Sequence, residues 1–210
     1  MSFRRVFPLV WLTVMASFGS EQLAELPAAD VLRARNLGDN IAALGPKVRR
    51  DQARQLAECA YATTAKLRRD YGVVGPALFH NFLVHVGIRK RGLCFQWAED
   101  LLAQLDALKA TTLELHWAEA RARTLRENNC IVVTAKGQPF QEGIVLDCWR
   151  QAGHLFWAPV PADHFYPWVE NTRYAEIART KFAAKRKSGL AQEQPMPASE
   201  KGSTISTSTR

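Results

Sequence analysis

The chain has 210 residues, with 28 Lys+Arg against 20 Asp+Glu and a formal net charge of +8. That balance suggests nucleic acid first, but residues 171–210 hold eight basic and three acidic side chains and so carry +5 of the +8, leaving a nearly neutral remainder with no basic and aromatic groove. At 47% hydrophobic and 23% charged, the composition excludes overall disorder and a multispan membrane protein, and the length suits one domain with extensions whose core needs no disulfide staples.

In chain order, Arg4 and Arg5 precede an apolar run from Val6 to Phe18, with Ser17 and Gly19 at its exit. The run is too short to cross a bilayer, and the pattern predicts a signal peptide over 1–19 and an exported protein, periplasmic or extracellular. Residues 20–45 read as a linker or short helix. Ala53, Leu56, Ala57, Ala60, Tyr61, Leu67 and Tyr71 then share one helical face, and Gly72 closes that helix. Pro76 opens a second helix with Leu78, Phe79, Phe82, Leu83 and Val86 as its apolar side, and Gly87 ends it. A third stripe, Trp97, Ala98, Leu101, Leu102, Leu105 and Leu108, begins at or near Cys94.

The period then changes. Leu113, Leu115 and Trp117 alternate with Thr112, Glu114 and His116 as in a strand with one buried face, and an Arg-rich connection leads to the β-branched strand Cys130–Thr134. A turn at 136–139, a returning strand over 143–146, a turn at 151–153 and a last strand over 155–160 follow. A final amphipathic helix carries Tyr174, Ile177 and Phe182, with Lys185, Arg186 and Lys187 at its end, and residues 187–210 read as a disordered tail. Helices followed by an antiparallel meander make the fold class α+β, with N-terminal helices packed on the sheet. The fold proper is expected over 46–186.

Two places carry chemistry. Cys94 sits where a Gly-containing loop, Arg91-Gly92-Leu93, runs into a helix, and the unsatisfied N–H groups there favour a thiolate. Asp147 ends the strand Gly143-Ile144-Val145-Leu146 and could orient a base on the neighbouring strand or simply cap a turn. In this order the chain resembles the transglutaminase-like cysteine enzymes of the papain-like superfamily: Gly92-Leu93-Cys94-Phe95-Gln96-Trp97-Ala98 matches their nucleophile helix, and Leu146-Asp147-Cys148-Trp149 their aspartate strand, with Cys148 where Pro is common. The resemblance covers roughly residues 75–170 and implies cysteine-dependent cleavage or transfer at an amide bond of a peptide or protein, without a cofactor or metal. Where the family has its histidine, this chain has Asn128, and an amide takes no proton from a thiol.

The resemblance therefore implies a site of Cys94, Asn128 and Asp147 that is impaired as an enzyme, a pseudoenzyme. The alternative is a peptide- or cell-wall-binding interaction module. A rescuing base would have to come from His80, His85, His116, His154 or His164, of which His116 shares a strand face with Glu114. Register offers Cys130 and Cys148 as a disulfide pair, but a register with Asn128 facing Asp147 excludes it, and the thiols are expected free. No nucleic-acid partner is expected, and contact with an envelope surface is at most weak and through the basic tail.

Overall fold

The computed structural model describes residues 26–192, with side chains described as far as 184. The expected signal peptide and most of the tail lie outside the described residues. Among the described residues, five α-helices and five strands follow in the order α1 (Ala28–Ala42), α2 (Arg50–Asp70), α3 (Ala77–His85), α4 (Cys94–Ala107), β1 (Leu113–Ala120), β2 (Asn128–Ala135), β3 (Ile144–Asp147), β4 (Phe156–Pro159), β5 (Val169–Glu170) and α5 (Thr172–Gln192). The fold is α+β.

The strands form one antiparallel sheet in the order β4-β3-β2-β1-β5. Period-2 alternation sends Leu113, Trp117, Ile131, Val133, Ile144 and Leu146 to the face that the helices cover. The opposite parity, Ala118, Ala120, Cys130, Val132 and Val145, packs under Phe140, Tyr166 and Trp168 from the connections. Because both faces of β2 are covered, seven of its eight residues are buried.

Helix α4 lies between α2 and β2. Its buried stripe is the expected one, Trp97, Ala98, Leu101, Leu102 and Leu105, and at roughly 1.5–3 kcal/mol for each large apolar side chain this packing is what holds Cys94 in place. Helix α1 was expected only as a linker or short helix. It is instead fifteen residues long, buries Ala34, Leu37 and Ile41 in the main core, and crosses α2 at Gly38, where a Cβ would stand 3.2 Å from the Arg54 Cα.

Three further expectations are corrected. Leu78, Phe79 and Phe82 on α3, and Val86 just after it, face solvent, while Ala77 and His80 are its buried residues. Ile177 on α5 is exposed, and the residues that pack there are Ala175 and Ala178, whose small side chains let the helix approach. Helix α5 also runs to Gln192, so Lys185, Arg186 and Lys187 lie within it rather than at its end, and residues 187–192 are helical rather than tail.

Candidate functional site

The loop before Cys94 is fixed by its own sequence. Gln96, in the first turn of α4, accepts hydrogen bonds through Oε1 from the backbone N–H groups of Gly92 (2.8 Å) and Leu93 (3.1 Å), and the Trp97 indole donates to the Gly92 carbonyl (2.9 Å). His80 Nε2 donates to the Arg91 carbonyl at 3.0 Å, which leaves its buried Nδ1 without a partner. Gly92 has φ +134°, and a Cβ there would lie 2.2 Å from His80 Nε2, so both backbone freedom and the absence of a side chain are used at this position. Arg91 reaches Asp100 at 2.9 Å, and the Tyr71 hydroxyl donates to the same carboxylate at 2.6 Å.

Cys94 is buried at the first turn of α4. Its sulfur meets the side chain of Asn129, whose Nδ2 lies 3.4 Å away and donates to it. Asn129 is itself held: its Oδ1 accepts from the Trp117 indole (3.0 Å) and its Nδ2 also donates to Glu127 Oε1 (3.0 Å). Burial pushes the Cys94 thiol up, and Glu127 and Asp147 add to that, against the Asn129 hydrogen bond that pulls it down. The helix start does not produce the lowered thiol that Cys94's position led us to expect, because desolvation and the two carboxylates outweigh the N–H groups around it.

Asn128 and Asp147 share a face and meet through their side chains, Asn128 Nδ2 donating to Asp147 Oδ2 at 2.6 Å, but the strands are two residues out of the expected register: Ile131 pairs with Leu146 and Val133 with Ile144, so Asn128 does not stand directly opposite Asp147. Both are fully buried, and Asn128 Oδ1 has no partner. Residues 128 and 129 leave β2 on opposite sides, so the pair Asn128–Asp147 lies with the parity of Cys130 and Val145, and Cys94–Asn129 with that of Ile131. The hydrogen bonds thus form two separate pairs, and neither Asn128 nor Asp147 is a hydrogen-bond partner of Cys94.

Asp147 is saturated. Besides Asn128, it accepts from Trp149 N (2.8 Å) and Arg150 N (3.1 Å) through Oδ1, and from Arg150 Nε (2.6 Å) through Oδ2. Arg150 continues to both oxygens of Asp163 (3.1 and 2.5 Å), and its guanidinium lies 3.9 Å from the Phe156 ring centroid and 4.6 Å from that of Tyr166. The Trp168 indole completes Asp163 at 2.8 Å. Burial works to raise the Asp163 carboxyl, but the Arg150 and Trp168 hydrogen bonds prevail and hold it below the usual range. This network ties the β3 end to the 160–168 connection, which is a structural task.

No histidine is a hydrogen-bond partner of Cys94. His80 serves the loop, His116 pairs with Glu170 (2.7 Å) and Thr134 (2.9 Å), and His85, His154 and His164 are exposed. All four cysteines are free: Cys130 points into the outer cluster, while the Cys148 sulfur lies 3.0 Å from the Thr64 hydroxyl on the helix side. Burial drives both thiols up, Cys148 to about 12. Sequence reasoning missed Asn129, Glu127 and Arg150. Strand parity places Asn129 with Ile131 and Val133, but the sequence of β2 carries no alternation that marks this side as the one facing the helices. Comparisons with protein-family models, curated proteins and solved structures give no match to this chain.

Proposed function

We propose that this chain is an exported, transglutaminase-like domain related to cysteine-dependent amide hydrolases and acyl transferases, that it is catalytically silent, and that its retained role is to bind a peptide or cell-wall component. One observation carries the silence: the side chain bonded to the Cys94 sulfur is an amide that donates to it, not an imidazole that could remove its proton. The cysteine at the start of a core helix, the antiparallel strands that follow it and the Asn128–Asp147 pair at adjacent strand ends support the ancestry. Asp147, with four donors already on it, has the surroundings of a structural carboxylate rather than one that orients a mobile base.

The test is release of ammonia from a glutamine-rich protein, with and without a primary amine acceptor, for the full chain beside its Cys94→Ala variant. The expected result is the same background for both proteins. Cys94-dependent ammonia release or amine incorporation would contradict the silent assignment.

A further inference from the structure

We propose that the solvent face of α3 and the turns flanking it form a docking surface for an anionic lipid bilayer. Val74, Leu78, Phe79, Phe82, Val86 and Ile88 are each between 45% and 60% exposed. Soluble monomers rarely leave so many large apolar groups together in water, and such a patch marks an interaction site. Leu78, Phe79 and Phe82 fall at i, i+1 and i+4 on α3, Val86 stands immediately after its last residue, and the Phe79 and Phe82 rings stack with centroids 6.4 Å apart. Val74 precedes the helix and Ile88 follows it, so the apolar surface continues at both ends.

Charge identifies the occupant. From Tyr71 to Ala98 the chain has no carboxylate over 28 residues and three cations, of which Arg91 is paired with Asp100 and Arg89 and Lys90 remain to give the stretch its positive charge. The acidic groups that bound this stretch are already matched: Asp70 by Lys66, Asp100 by Arg91 at 2.9 Å and Glu99 by Lys181 at 2.6 Å. Phenylalanine and leucine exposed on one helix face, with arginine and lysine immediately beyond it, suit an element lying at a headgroup boundary: apolar side chains enter the acyl region while cations meet anionic headgroups. A second copy of the chain fits less well, because a two-fold contact through this face would bring like cationic margins together with no carboxylate to receive them.

The experiment uses the full chain and vesicles of phosphatidylcholine with or without phosphatidylglycerol. Co-sedimentation is expected to be roughly tenfold stronger with phosphatidylglycerol, to weaken in high salt, and to fall roughly tenfold in the Phe79→Ser/Phe82→Ser double variant and several-fold in Lys90→Glu. Those side chains are solvent-exposed, so circular dichroism of the variants should match the parent. A Phe82→Trp variant locates the contact independently of any other apolar segment: its emission, taken as a difference from the parent, is expected to be quenched by brominated phosphatidylglycerol. Equal binding to both vesicle types, or binding kept by the double variant with no quenching at position 82, would overturn the assignment. Self-association abolished by the double variant would also overturn it, giving the face to a second copy.

Discussion

At position 129 the thiol meets an amide because adjacent residues of β2 leave the strand on opposite sides, and the residue that shares the helix-facing side is Asn129 rather than Asn128. Asn128 serves the other side, where its Nδ2 satisfies one oxygen of a carboxylate that has no access to water. An uncharged partner is required there. In Asn128→Asp two carboxylates would face each other at about the same separation, and the variant is expected to lose more than about 2 kcal/mol of stability at pH 7. The loss should shrink at acidic pH, where the introduced carboxyl is protonated and can donate to its neighbour. Urea denaturation at neutral and acidic pH checks this, and an equal loss at both would show that charge repulsion is not the cause. Cys94 and Asp147 were legible in the sequence because a Gly-containing loop before a stripe and a carboxylate after a hydrophobic run are local signals. Asn129 was not, since β2 is buried on both faces and its sequence, Asn-Asn-Cys-Ile-Val-Val-Thr-Ala, has no period-2 alternation to reveal which side meets the helices.

The same contrast between local signal and burial appears among the elements. Helices α2 and α4 were readable because large apolar residues repeat at helical spacing and each has its stop or start residue nearby, Gly72 with φ +58° after α2 and Gly92 before α4. Helix α1 was hidden because two of its four buried positions, Ala34 and Gly38, mark close approach rather than hydrophobic bulk, leaving only Leu37 and Ile41 as large apolar signals. Periodicity found α3 but assigned its apolar side to the core, and the structure turns that side outward. A stripe on a helix states that the face avoids water and does not state what covers it, and on α3 the proposed cover is a bilayer. Strand β5 was missed because two exposed residues leave no pattern; it exists through pairing with Ala118 and Glu119 on β1.

For the whole molecule, the free thiols set a limit on the alkaline side. Burial raises Cys59, Cys94 and Cys130, and Cys148 to about 12, above the usual thiol value near 8.5–9. The unfolded chain therefore loses these protons at lower pH than the folded one. The stabilisation is complete below about pH 8.5 and is lost progressively as pH rises toward the folded values. The urea midpoint should accordingly fall between about pH 8 and pH 10.5, and a midpoint that holds or rises would contradict the burial of these groups. The net charge of +8 is shared unevenly, and within the fold the acid-free stretch from Tyr71 to Ala98 gives the charge a definite surface on which to act. The central claim, a cysteine at a helix start that lacks a base, is most directly tested by the pH dependence of Cys94 alkylation in the intact protein. Iodoacetamide modification should be read on the Cys94 peptide by mass spectrometry from about pH 5 to pH 10. The expected result is no appreciable labelling below about pH 8.5 and a rise only beyond it. A labelling rate already at its plateau near pH 6–7 would reveal an activated thiolate and contradict the account.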